Sequence, residues 1–365
     1  MSQDRIIAGG NACHMEPTDG FISRLLPAPL NGGYQQADYW VWCGSVIQAT
    51  NPGEDGRYHM YASRWDKRTS FSPYWLFRSE IVRASSDQPE GPYGFEEVAL
   101  PRRSPHFFDG MVTHNPSIKK FGEQYLLYYM GTTYDEDAYD SLIQAHGCFD
   151  IQIPAHEKFR NETWNKKRIG LAVSDTVRGP WRRLDQPLLE PRPGKWDSFA
   201  TTNPSVCIRD DGYSVMIYKS RTVDRGLLQL GIATAKHPTG PFTPISDDAT
   251  FPFHAEDPYI WFEDDQFQII MKDMTGKICG EHHAGIHATS PDGIRWQLSQ
   301  PPKAYSRTIH WEDGTTTIQG SFERPNLLFH NGKPTHLFAA TADGPGGFWQ
   351  ASKTWSMCIP LKPKY

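Results

Sequence analysis

Apolar and polar positions along most of this chain follow the two-residue rhythm of β-strands, in short runs separated by turn residues. The runs come in pairs, and each pair opens on a polar residue. In four of the five openings a proline follows: Asn115-Pro116-Ser117-Ile118, Asn203-Pro204-Ser205-Val206, Asp257-Pro258-Tyr259-Ile260 and Glu323-Arg324-Pro325-Asn326-Leu327. Cys43-Gly44-Ser45-Val46-Ile47 reads as a degenerate fifth. A tight turn comes next, such as Glu54-Asp55-Gly56, Asp210-Asp211-Gly212 or His330-Asn331-Gly332, and then a second apolar run, as in Tyr125-Leu126-Leu127-Tyr128-Tyr129. These are hairpins by their local pattern. Most units add a third run, such as Leu230-Gly231-Ile232-Ala233-Thr234, followed by a turn ending in an aromatic. Gly91-Pro92-Tyr93, Gly179-Pro180-Trp181 and Gly240-Pro241-Phe242 share that form, and Ser290-Pro291-Asp292-Gly293 with Trp296 is a looser fourth. Their rings are expected to plug the space between neighbouring sheets.

Five copies of a three- or four-stranded unit, with no sustained helical periodicity, predict an all-β fold: a five-bladed β-propeller over residues 38–365. Residues 1–37, rich in Gly, Pro and Asn, read as an irregular arm laid on it. The largest insertion, Asp135 to Lys167, is polar and aromatic and is expected to cover one mouth. In a propeller the innermost strand of every blade runs along the central axis, so residues that open those strands converge. Asn115, Asn203, Asp257 and Glu323 are therefore expected to be neighbours. Asp109 and Asp197, each six residues before its Asn, are expected on loops over the same mouth. The opening His254-Ala255-Glu256-Asp257-Pro258 carries two adjacent acids at the start of a buried strand, which is costly unless they are paired, hydrogen-bonded or used.

Strand-opening Asp-Pro and Glu-x-Pro motifs joined to Gly-Pro-aromatic turns resemble the five-bladed propeller glycoside hydrolases of family 43 and their family 117-like relatives, from about Tyr39 to Leu361. The resemblance implies a glycosidase, and a pocket closed by the long insertions favours exo-action on a small glycoside or an oligosaccharide end over mid-chain cleavage. It also implies three acids: Asp257 to tune and orient, Glu323 as general acid, and an Asp as base. Where that Asp is expected, the chain has His114-Asn115-Pro116, and an amide cannot take a proton. Asp109 is the nearest replacement, with Asp197 next and Asp38 third. Family 117 relatives use a His as acid, which makes His282 and His283 rivals for that role. Some family 43 members hold calcium on the axis, and no other cofactor is implied. Phosphorolysis, as in the family 130 propellers, and non-catalytic sugar binding are the alternative activities.

Around those acids the sequence offers further candidates for substrate contact. Arg64, Trp65, Lys219, Arg221 and Lys272 close second strands and are expected on the rim, where cations suit a carboxylated or phosphorylated substrate or phosphate itself. Asp273, Glu281, His282 and His283 follow on the Asp257 unit, with His114, Asn115, Asn203 and Arg324 at the openings. Adjacent histidines point opposite ways on a strand, so no zinc site is expected of them.

Bulk composition narrows the partners. A net charge of −5 supplies no basic footprint for nucleic acid or a membrane surface, and the carbohydrate partner is what the resemblance implies. Aromatics make up 13% of the chain, which serves either a β core or stacking platforms for sugars. Six scattered cysteines without metal-ligand spacing suggest free thiols in a reducing compartment, and the first residues lack the apolar stretch of a secretory signal. A cytoplasmic location is the expectation.

Overall fold

A computed structural model describes residues 20–344 and 346–363 of the chain. Its strands form five blades. The first holds β1 (Tyr39–Gln48), β2 (Tyr58–Asp66), β3 (Glu80–Ser86) and β4 (Gly94–Leu100), with a one-turn helix α1 (Trp75–Arg78) between β2 and β3. The second holds β5 (Val112–Phe121), β6 (Gln124–Thr132), β7 (Arg168–Ser174) and β8 (Arg182–Arg183). The third holds β9 (Thr202–Ile208), β10 (Ser214–Ser220), β11 (Gln229–Ala235) and β12 (Thr243–Pro244). The fourth holds β13 (Ala255–Glu263), β14 (Gln266–Asp273), β15 (Gly285–Ser290) and β16 (Gln297–Tyr305). A small hairpin, β17 (Thr308–His310) with β18 (Thr316–Ile318), precedes the fifth blade, which has β19 (Ser321–His330), β20 (Lys333–Ala342) and β21 (Thr354–Pro360). Neighbouring strands within each blade run antiparallel, and the expected five-bladed propeller is the fold.

Each blade is covered on both faces, so successive residues of one strand enter different cores. On β2, Met60 and Ala62 pack with Phe338 and Leu328 of the fifth blade, while Tyr61 packs with Leu127 and Tyr129 of the second. Equivalent clusters fill the other three blade junctions, and a sixth lies under the insertion. Each fully buried Leu, Ile or Phe contributes roughly 1.5–3 kcal/mol. The turn aromatics sit as expected: Tyr93 meets Phe338 edge-on with centroids 6.0 Å apart, Trp181 meets Tyr61 at 5.4 Å, and Phe242 and Trp296 join the junction cores. Gly91, Gly179 and Gly240 have φ of +99°, +91° and +90°, which side-chain-bearing residues rarely adopt.

The ring is closed by the described part of the arm. Tyr34 and Ser356 exchange backbone hydrogen bonds of 2.9 Å, giving β21 a partner on its outer edge. Leu26 N–H donates to Pro360 O (2.9 Å) and Lys362 N–H to Arg24 O (2.7 Å). Residues 1–19 of the expected arm, Cys13 among them, lie outside the described residues. The other five cysteines are unbridged. Among the described residues no helix is long and apolar enough to cross a membrane.

The insertion is helical. In α2 (Glu136–His146), Asp135 caps the start by accepting from Ala138 N–H at 3.0 Å, and Gly147 ends the helix at φ +77°. In α3 (Pro154–Asn165) a proline sits in the first turn, where its missing N–H has no partner to lose. Together they bring Arg160, Trp164 and Lys167 to the axial cavity.

Candidate active site

The site grows from one backbone irregularity used five times. Cys43, Asn115, Asn203, Asp257 and Arg324 all have left-handed φ, between +46° and +58°. Beside each, the register of the innermost strand breaks: between Trp42 and Ser45, His114 and Ser117, Glu256 and Tyr259, Glu323 and Asn326, and opposite Ile217 and Lys219 for β9. A β-bulge sets two consecutive residues against one on the partner strand and re-aims their side chains. Here consecutive residues line one cavity: His114 with Asn115, Thr202 with Asn203, Glu256 with Asp257, and Glu323 with Arg324. Left-handed backbone costs about 1–3 kcal/mol for a residue such as Cys or Arg, less for Asn and Asp. The expected alignment of the openings is corrected by this geometry. The fifth counterpart of Asn115, Asn203 and Asp257 is Arg324, and Glu323 matches Glu256 and His114.

A hydrogen-bonded chain links these residues around the axis. Cys43 Sγ donates to Asn115 Oδ1 (3.1 Å), Asn115 Nδ2 to Asn203 Oδ1 (2.9 Å), and Asn203 Nδ2 to Asp257 Oδ1 (2.8 Å). Arg324 Nη1 reaches the same Asp257 oxygen at 3.2 Å. The two asparagines thus fix Asp257, which is 2% exposed.

Glu256, Asp257 and Glu323 each offer an oxygen within 4.8 Å of the other two. Lys272 Nζ lies 2.7 Å from Glu323 Oε1 and 3.0 Å from Glu256 Oε1, and Lys219 Nζ lies 2.7 Å from Glu256 Oε2. Burial disfavours ionisation of Glu256, but Lys219 and Lys272 override it and hold its carboxyl well below the usual range. Glu323 is raised: burial outweighs the pull of Lys272, and the charges of Asp257 and Glu256 add to it. The three acids already face Lys219, Lys272 and Arg324. An axial calcium would have to displace the Lys272 ammonium, so the donor set does not fit that ion.

The cavity, about 350 Å³, lies at the lower end of the range for small-ligand pockets, roughly 300–1,000 Å³. Trp42, Trp65, Phe71, Trp75, Trp164 and Phe348 supply aromatic walls. His114 stacks on Trp75 with centroids 5.2 Å apart, and its Nδ1 hydrogen-bonds Ser79 Oγ at 2.7 Å. Burial and the charges of Arg324, Lys167 and Lys219 keep its imidazole neutral, well below the usual value. His283 also lines the cavity and is pushed down to about 4 by burial and Lys272.

Of the residues singled out in the sequence, Asp257, Glu323, His114, Asn115, Asn203, Trp65, Lys219, Arg221, Lys272, His283 and Arg324 line this cavity. None of the three candidate bases does. Asp109 is fully buried beneath the second blade, where it accepts from Tyr129 Oη (2.6 Å) and Arg103 Nε (2.6 Å) and pairs with Arg183. Asp197 repeats the arrangement in the third blade with Tyr218 Oη (2.7 Å) and Arg192. Each carboxylate pins the segment leading into an innermost strand onto that strand's own blade. Asp38 is exposed away from the cavity. Arg64 is held outside by Glu80 and Gln36. Asp273 accepts from the backbone N–H groups of Thr275, Gly276, Ile278 and Cys279, shaping the loop that carries His283. Glu281 is bound by Lys303, Ser306 and Arg307, and His282 is exposed beside the His283 ring. Glu256 had no role assigned from sequence, although it is half of the acidic pair. Lys167, Arg160 and Trp164 were not anticipated, because no repeat motif marks the insertion, and neither was Trp75 on α1 of the first blade.

No family model and no curated protein matches this chain. Solved structures do. Zg3597, a family 117 glycoside hydrolase from the marine bacterium Zobellia galactanivorans, superposes with a TM-score of 0.62 at 15% identity, covering 93% of this chain and 90% of that one. CoXyl43, a family 43 β-xylosidase/α-arabinofuranosidase from a compost microbial metagenome, gives 0.56 at 14% identity over 93% of this chain and 96% of that one. A family 43 enzyme from Xanthomonas citri complexed with xylose gives 0.56 at 14% identity, covering 93% and 91%. At such identities the likeness establishes the propeller fold.

Proposed function

We propose that this propeller is a glycoside hydrolase whose acid is Glu323 and whose ionised carboxylate is Glu256. The observation that carries the reading is geometric: the two buried carboxyls share the Lys272 ammonium, at 2.7 Å from Glu323 and 3.0 Å from Glu256, while Lys219 pairs with Glu256 alone at 2.7 Å, an asymmetry that favours the proton on Glu323 and the charge on Glu256. Paired carboxyls with opposed protonation are what glycosidic cleavage requires. Glu323 gives its proton to the departing glycosidic oxygen. Glu256 supports attack on the anomeric carbon from the other side, through water or directly. Asp257, pinned by Asn203 and Arg324, helps keep the Glu323 proton in place and orients the sugar. The tryptophan walls offer stacking faces for pyranose or furanose rings. A small cavity walled on one side by the helical insertion suits removal of a terminal sugar. The fold shared with glycoside hydrolases of families 117 and 43 supports the same reading.

A panel of nitrophenyl glycosides tests it. Glu323→Gln is expected to cut turnover of substrates with poor leaving groups by about 10²–10⁴ while sparing dinitrophenyl glycosides. Glu256→Gln should depress both classes. Retention of turnover by both variants, with only KM altered, would reduce the acids to hydroxyl clamps.

A further inference from the structure

The cavity holds more positive charge than its acids account for. Arg160, Lys167, Lys219, Arg221, Lys272 and Arg324 line it, against Glu256, Asp257 and Glu323. Lys219, Lys272 and Arg324 are matched by those acids. The other three stand apart from those acids, two of them against Trp164: Lys167 Nζ lies 3.2 Å and Arg221 Cζ 3.7 Å from its ring centroid. Lys167 is 2% exposed, and among the described residues no carboxylate pairs with it. Arg221 is 7% exposed; one of its nitrogens meets Asp224 at 2.7 Å, but its Nε is buried with no partner. Among the described residues Arg160 hydrogen-bonds the neutral Asn161 side chain at 2.9 Å and makes no ion pair, although it feels the charge of Asp224, the carboxylate that pairs with Arg221. Cation–π contact recovers less than burying an ammonium costs. Burial and the repulsion of Lys219, Arg221 and Arg160 hold the Lys167 ammonium well below its ordinary range. An arrangement this unfavourable when empty is relieved by an anion.

We propose that Lys167, Arg221 and Arg160 form an oxyanion subsite beside the acids, taking a carboxylate or sulfate carried by the sugar, or free phosphate. Arg221 provides a planar donor edge suited to a two-oxygen anion, and Lys167 a point charge. The sugar-borne form rests on the glycosidase reading; binding of the free anion does not.

Calorimetric titration of the full chain with galacturonate, glucuronate, sulfate and phosphate, against galactose and glucose, decides it. At least one oxyanion is expected to bind about tenfold or more tightly than the neutral sugars. Lys167→Met and Arg221→Gln should each abolish that preference, Lys167→Arg should restore part of it, and Arg225→Gln, at the exposed pair with Glu157, should leave it unchanged. Lys167→Met should also raise the melting temperature of the ligand-free protein, which loss of a merely structural lysine would not do. Uronate binding above phosphate assigns the anion to the sugar, and the reverse order assigns it to free phosphate. No anion preference, or a preference intact in both Lys167→Met and Arg221→Gln, overturns the subsite. Hydrolysis of neutral glycosides without that preference would leave the hydrolase reading standing alone. Anion binding with turnover insensitive to Glu323→Gln and Glu256→Gln would do the opposite.

Discussion

Glu256 and Glu323 differ in their protonation because of where two ammonium groups lie. Lys219 serves Glu256 alone, whereas Lys272 divides its charge between the two. On the proposed roles the working form has Glu323 protonated and Glu256 ionised. Activity therefore falls as pH rises through the raised value of Glu323 and as pH falls through the depressed value of Glu256, the two limbs flanking the ordinary Glu value of about 4.3. Glu256→Asp or →Gln confuses this test with lost chemistry, but Lys272→Met does not remove either carboxyl. It should move both limbs of the kcat/KM profile to higher pH, since Lys272 lowers both groups. A basic limb that stays put would mean that another group owns it. Asp257 and Glu323 were legible in the sequence because strand-opening residues converge by topology alone. The pairing of Glu256 with Glu323 was also written there, one residue further before the proline in each case, but reading it requires knowing which residue takes the left-handed bulge.

The bulges explain why the innermost strands can serve both core and cavity. Downstream of each bulge, residues such as Ile118, Val206 and Ile260 return to the junction cores, while the bulged pair faces the mouth. Asp109 and Asp197 lie on the segments that lead into β5 and β9, where sequence distance from the opening says nothing about direction. Their place is set by packing: a Cβ on Gly131 would come within 2.3 Å of the Asp109 Cβ, so the aspartate segment lies flush against β6. With Tyr129, Arg103 and Arg183 around it, Asp109 is a buried charge whose partners depend on it. Asp109→Asn is expected to cost roughly 3 kcal/mol of stability. Chemical denaturation should show that loss while kcat of the folded fraction remains near that of the parent. A large fall in kcat without loss of stability would return Asp109 to the list of candidate bases. The helices of the insertion had readable ends, Asp135, Gly147 and Pro154, yet their faces are aromatic and mixed, without the sustained apolar stripe that announces a helix.

Five blades were legible as five openings, but how the ring closes was not. Among the described residues the fifth blade has three strands, and without the arm β21 would present an unpaired edge on the outside of the propeller. Open edges invite pairing with other chains. Residues 33–34 cover part of it through the Tyr34–Ser356 bonds, and Gly33 is locked between Glu90 and Tyr93 of the first blade, donating to Glu90 O (2.7 Å) and accepting from Tyr93 N–H (2.9 Å). The arm is therefore stitched to both sides of the seam between the last blade and the first. No local pattern encodes this, since an irregular Gly- and Pro-rich segment looks the same whether it hangs free or closes a ring. Tyr34 adds a ring that is 1% exposed in the core shared by those two blades. Tyr34→Ala should cost about 3–5 kcal/mol, as for other large aromatics removed from a core. Deleting the segment through Ala37 should go further, exposing β21 as well as emptying the seam. Size-exclusion chromatography and thermal unfolding of the deleted chain are expected to show a lower melting temperature and association through the freed edge. A monomer as stable as the full chain would mean that the junction cores alone hold the propeller shut.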